Sequence, residues 1–148
     1  MAQVDEQDQR IAAVLGEGPE PDFDQCVDKF CRHLQASLRL PCEVTGLEDF
    51  DWEEFYVMGP GDPKEYKELR KTKPSYRDKF ELLRIEKGVD SEWMLFHGED
   101  LGAHVRRKSD GREFCLGLAE LKAVDRRSPN FRLINDYATW FVNSRFNR

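Results

Sequence analysis

No run of apolar residues in this chain approaches the ~18 needed to cross a bilayer, so no membrane-spanning helix is expected. No two cysteines form a CxxC pair, and no histidine follows them at a zinc-finger spacing, which removes the common structural zinc motifs. Neither GxxxxGK[ST] nor GxGxxG occurs, so no Gly-rich phosphate cradle is expected. No serine sits in Gly-x-Ser-x-Gly, and His33, His97 and His104 stand apart from one another. A non-enzymatic protein is the expectation. The opening residues Met1 to Glu6 lack a basic segment followed by an apolar one, and Phe146-Asn147-Arg148 is not a lipidation motif. Together these point to a cytoplasmic chain. In that compartment Cys26, Cys31, Cys42 and Cys115 are expected as reduced thiols, with Cys26 and Cys115 in the core.

What is present fits a single α+β domain. The length of 148 residues suffices for a core without staples. Charged residues make up 35 %, but 10 Phe, 4 Tyr and 3 Trp supply enough apolar area to argue against a disordered chain. Charge comes in alternating blocks. Residues 1–24 hold seven acids against Arg10, and residues 43–62 hold seven acids and no Lys or Arg. Residues 63–79 hold seven bases against three acids, and residues 102–148 ten bases against five acids. A uniform solvation coat would not alternate in this way.

Residues 1–21 end in Gly16-Glu17-Gly18-Pro19-Glu20-Pro21 and are expected to form a mobile arm, in which Arg10 to Leu15 could make a short helix with few partners, leaving 22–148 as the domain. Phe23, Cys26, Val27, Phe30, Leu34 and Leu38 follow helical spacing behind a capping Asp22 or Asp24. A short strand is predicted from Pro41, another over Phe55–Met58, and a short helix from Asp62-Pro63 with Glu65 closing a capping box. Strands are predicted over 80–85, 92–96, 101–107 and 114–118, with an Asp110-Gly111 hairpin turn. Ser128-Pro129 opens a last helix whose Phe131, Ile134, Tyr137, Ala138 and Phe141 share a face. The fold class is a small antiparallel curved sheet or SH3-like barrel flanked by N-terminal and C-terminal helices.

The acidic block carries the sharpest chemical signal. Glu48, Asp49, Asp51, Glu53, Glu54 and Asp62 lie within fifteen residues without a base among them, and such carboxylates repel. A hard divalent cation relieves that repulsion by collecting their oxygens. On an extended backbone Asp49, Asp51 and Glu53 share one face while Phe50 and Trp52 anchor the other. An EF-hand is excluded: its sixth position needs Gly and holds Glu54, and its twelfth needs Glu and holds Pro60. An open site of this kind would bind Ca²⁺ with a dissociation constant of roughly 10⁻⁵ to 10⁻³ M. The competing reading is an acidic edge that discourages strand pairing.

The basic run from Lys64 to Lys79, with Tyr66 and Tyr76 interleaved, has the composition of a nucleic-acid surface. Glu65 and Glu68 interrupt it in an acidic chain, so a solvated helix paired with the acidic block is expected instead, and nucleic acid is not an expected partner. Trp52, Tyr56, Trp93 and Trp140 could line a peptide groove, which keeps an SH3-like protein-interaction module with no metal dependence as the alternative function.

The segments Leu40 to Gly46, Phe80-Glu81-Leu82-Leu83, Asp110 to Phe114, Leu118 to Leu121 and Asn135 to Asn143 resemble the bacterial family of small non-EF-hand calcium-binding proteins known from cyanobacterial heterocyst differentiation. The resemblance spans about residues 25–145. It implies a compact α/β protein that binds Ca²⁺ through surface acids, as a buffer or a sensor. Asp49, Asp51, Glu53 and Glu54 are the leading ligand candidates from local spacing, with Glu48 and Asp62 secondary.

Overall fold

A computed structural model of the chain describes residues 6–16 and 22–146. Helix α1 (Glu6–Leu15) and helix α2 (Phe23–Ser37) precede strand β1 (Cys42–Gly46). A 3₁₀ turn (Asp51–Glu53) runs into the single-turn α3 (Glu54–Val57), followed by α4 (Pro63–Leu69). Strands β2 (Phe80–Glu86), β3 (Gly102–Arg107) and β4 (Glu113–Gly117) form a meander. A second 3₁₀ turn (Leu118–Glu120) leads to β5 (Leu121–Ala123), and α5 (Pro129–Phe146) closes the described chain.

The five strands form one antiparallel sheet in the order β4-β3-β2-β1-β5, with an irregularity between Leu82 and Arg84 that bends β2. β4 and β5 are the two edges, so the hydrogen-bonded ladder stays open and does not close into a barrel. The α+β class with a curved sheet and flanking helices therefore holds.

Capping begins α2 as its sequence requires: Asp22 Oδ1 accepts from Gln25 N at 2.8 Å, and Gln25 Oε1 accepts from Asp22 N at 3.2 Å. The apolar stripe of α2 then meets α5 in a cluster of rings. Phe23 stacks on Trp140 with centroids 5.3 Å apart, and Phe30 meets Trp140 and Tyr137 at 5.0 and 5.6 Å. Phe30, Tyr137 and Phe141 are fully buried, each withdrawing an area from water that stabilises the fold by about 1.5–3 kcal/mol. Val44, Phe80, Leu82, Val105 and Leu116 bring the sheet into the same core.

Several expectations give way to tertiary context. Residues 6–15 form a helix that packs on α2 and α5, where Arg10 Nε and Nη2 donate to Asp136 at 2.8 and 3.0 Å. The expected arm over 1–21 does not describe this stretch; residues 1–5 and 17–21 lie outside the described residues. Phe55–Met58 is not a strand: residues 55–57 are helical and Met58 is the C-cap. The run 92–96 is a turn because Ser91 competes for its backbone: Ser91 Oγ accepts from Trp93 N at 3.1 Å and Ser91 O from Met94 N at 3.1 Å. Cys26 and Cys31 are buried, whereas Cys42 and Cys115 are only half-buried. Three-residue β5 is too short to leave a periodic signal.

The basic run folds back on the sheet through Arg107, which is 2 % exposed. Its guanidinium donates to the carbonyls of Arg70, Lys71 and Lys73, at 3.1, 2.9 and 2.9 Å, and so satisfies the orphan acceptors at the end of α4. Asp78 and Asp110 balance its charge at 3.1 and 2.8 Å. Asp110 is thereby held down to about 2, and the turn it starts needs Gly111 at φ 76°. Among the described residues no ion pair joins this run to the acidic block; Arg70 pairs with Asp78 and Lys71 with Glu68.

Candidate functional site

The acidic segment is a pair of tight turns, not an extended strand, and this redistributes its carboxylates. Glu53 turns inward and is 0 % exposed. Its Oε2 accepts from Phe50 N at 3.0 Å and Tyr76 N at 2.9 Å, and its Oε1 accepts from Tyr66 Oη at 2.8 Å and Ser75 Oγ at 2.6 Å. Both oxygens are thus fully used in tying the segment to α4 and to the loop before β2. Glu53 stands apart from the surface face expected of it, because the 3₁₀ turn brings its carboxylate back onto the amide three residues earlier. Trp52 anchors the same turn, its indole N–H donating to Pro74 O at 2.6 Å.

Glu48, Asp51, Glu54 and Asp62 are exposed and Asp49 is half-exposed. Asp62 serves as the α4 cap, its Oδ1 accepting from Lys64 N at 3.1 Å. Glu65 does not close the expected box and accepts from Tyr56 Oη at 2.7 Å instead. Of the six candidates, Asp51 has a second acidic neighbourhood, contributed by the far end of the sheet.

That neighbourhood is centred on Gly117. A Cβ at this position would stand 2.5 Å from Asp100 Oδ2 and 2.6 Å from Glu120 Oε2, so two carboxylates flank one point of the backbone and only glycine leaves room for them. Asp100 is 2 % exposed, accepting from Tyr137 Oη at 2.6 Å and Ala119 N at 3.0 Å, while Tyr137 Oη accepts from Leu101 N at 3.1 Å. Glu120 Oε2 accepts from Leu95 N at 3.1 Å. Burial raises Asp100 to about 7, opposed by the Tyr137 and Ala119 hydrogen bonds and assisted by the charge of Glu120. Burial likewise raises Glu120 to about 7; the Leu95 and Gly117 N–H groups oppose it, and the negative charge of Asp51 adds to it. The acidic segment is fixed to this corner by its own backbone, since Leu47 N donates to Glu120 O at 2.9 Å.

The result is a graded set of carboxylates: Asp100 inside, Glu120 at the boundary, Asp51 outside. Among the described residues no group of three or more His, Cys, Asp or Glu is assembled closely enough to hold a metal ion. His97 Nδ1 instead pairs with Asp90 at 2.9 Å and His104 Nε2 with Glu86 at 3.2 Å, on the surface.

No family profile matches the chain, and no curated protein matches it. Comparison with solved structures is decisive for the fold. The crystal structure of Anabaena CcbP superposes with a TM-score of 0.56 and 17 % identity, covering 95 % of this chain and 94 % of CcbP. The chain has the CcbP fold. A calcium-binding protein in its calcium-binding form superposes with a TM-score of 0.53 and 15 % identity, over 93 % of this chain and 90 % of that one. Both superpositions extend over nearly the whole chain, including the residues 25–145 that carry the sequence resemblance.

Reading the sequence by local density missed Asp100 and Glu120 as a pair. They lie twenty residues apart and well beyond the acidic block; Asp100 has only Glu99 beside it, and Glu120 stands alone. One local sign was present: Gly117 interrupts an otherwise apolar strand, which marks a close approach of another group. Among the described residues no helix is long and apolar enough to cross a membrane, as expected.

Proposed function

We propose that this protein binds Ca²⁺, and that the cation is drawn to the corner where Asp51 meets Glu120, with Asp49, Glu48 and Glu54 supplying the surrounding negative field. The observation that carries this reading is the pair of carboxylates that flank Gly117, Asp100 and Glu120, with the negative charge of Asp51 felt at Glu120. A divalent cation favours the ionised forms and removes the repulsion among them. One of the two structural neighbours is a calcium-binding protein in its calcium-binding form, which supports the choice of cation. Two side-chain carboxylates leave most of a Ca²⁺ shell to backbone carbonyls and water, which suits a weak, exchangeable site of roughly 10⁻⁵ to 10⁻³ M. Glu53 is left out, because its oxygens are occupied, and Asp62 serves as a helix cap. A sensor or buffer role both follow from such a site.

Calorimetric titration with Ca²⁺, with Mg²⁺ as control, tests the proposal. Asp51→Asn and Glu120→Gln are each expected to weaken Ca²⁺ binding at least tenfold. Absence of heat at millimolar Ca²⁺, or unchanged affinity in both variants, refutes the assignment.

A second reading is favoured by Phe55 and Met58, which are 57 % and 76 % exposed on α3 beside the acidic turn. Such apolar exposure suits a protein-interaction surface independent of metal. A partner captured equally with and without EDTA would favour it over calcium binding.

A further inference from the structure

On the opposite charge, a cavity of about 680 Å³ opens between the end of α2, the loop before α5 and the first turns of α5. Arginine dominates its lining: Arg10, Arg39, Arg126, Arg127 and Arg132 all contribute. Arg10 is committed to Asp136. The other four are exposed, and among the described residues none of them pairs with a carboxylate. Asp125, the acid next to them in sequence, turns its Oδ1 onto the main-chain N–H of Arg127 at 2.9 Å. Arg126 rests over the Phe131 ring at 6.0 Å, which holds its guanidinium at the cavity. The eighteen-residue α5 begins here with no acid in its first turn, so its positive end adds to the same field.

Four like charges gathered in one concavity of a chain whose net charge is −6 are costly without a counter-charge. The size matches a small-molecule site, for which about 300–1,000 Å³ is usual. Planar guanidiniums match phosphate oxygens two at a time, and four of them exceed what one phosphate can use. Extended nucleic acid is disfavoured, because beyond about 8–10 Å it senses the acidic remainder of the molecule as much as the cavity.

We propose that this arginine-lined cavity binds a small anion carrying two or more linked phosphate groups. The site is separate from the carboxylate corner and does not depend on calcium. Calorimetry in EDTA with tripolyphosphate, a nucleoside triphosphate and orthophosphate tests it. Tripolyphosphate is expected to bind at least tenfold more tightly than orthophosphate. Arg126→Gln with Arg132→Gln, and separately Arg39→Gln with Arg127→Gln, are expected to weaken it at least tenfold. Lys64→Gln with Lys67→Gln on α4 is expected to leave it unchanged. All of these side chains are exposed, and an unchanged melting temperature checks folding. Tighter binding of the nucleoside triphosphate assigns a base contact, for which Phe131 is placed; equal binding assigns the phosphates alone. No heat at millimolar tripolyphosphate, equal weakening by the α4 variant, or tighter binding of a single-stranded oligonucleotide overturns the proposal.

Discussion

Asp100 Oδ2 and Glu120 Oε2 both lie against Gly117, 2.5 and 2.6 Å from where a side chain on that residue would begin. Two carboxylates so placed, one of them buried, resist being ionised together. The fold thus stores negative charge at a corner that a proton or a cation can relieve.

Stability should fall as pH rises from about 4 to about 7. Both groups titrate higher in the folded protein, at about 7, than their ordinary values of 3.8 and 4.5. Their contribution is complete below the unfolded values and is lost as pH passes through the folded ones. The loss for Asp100 is on the order of 4 kcal/mol. Urea unfolding between pH 5 and 8 measures it. Asp100→Asn, neutral at every pH, should show a flatter profile than the parent protein; an equally steep profile would contradict the assignment.

Protons and Ca²⁺ should compete at this corner. Glu120 must be ionised to bind a cation, so Ca²⁺ affinity should increase several-fold between pH 6 and 8, with proton release on binding. Titrations in buffers of different ionisation heat detect the released protons, and Glu120→Gln should lose the pH dependence.

Gly117→Ala places a methyl group against both carboxylates, and neither can withdraw far, since Asp100 is held by Tyr137 and Ala119. Overpacking of this kind costs about 1–3 kcal/mol. The midpoint of chemical denaturation should shift accordingly, more at pH 8 than at pH 5.

Glu53 should behave as a structural residue. Glu53→Ala leaves the donors of Phe50, Tyr66, Ser75 and Tyr76 unpaired in the interior, costing at least about 3 kcal/mol. Glu53→Gln, which retains one acceptor, should cost less. Thermal melts rank the two, and an exposed neighbour, Glu54→Ala, should change the melting temperature little.

Local rules in the sequence were sufficient wherever a single segment decides its own conformation. Asp22 with Gln25, Asp62 before Pro63, and Asp110-Gly111 each satisfy backbone groups within a few residues, so α2, α4 and the β3–β4 turn were legible. The apolar spacing of α2 and α5 and the alternation in β2 and β3 likewise report which face is buried. The acidic block was visible as composition, but its geometry was not. The inward turn of Glu53 depends on donors from Tyr66, Ser75 and Tyr76, which reach it only after α4 has folded back.

Composition, charge blocks, capping and hydrophobic period therefore determined by themselves the α+β class and an acidic segment between β1 and α4. Which carboxylates meet was decided only by the tertiary structure. Repulsion between two acids depends on distance in space, and only the sheet with its closing 3₁₀ turn brings Asp100 and Glu120 together against Gly117. The arginine-lined cavity follows the same logic, since α2, the loop before α5 and α5 itself contribute to it from positions as far apart in the chain as Ser37 and Asn135.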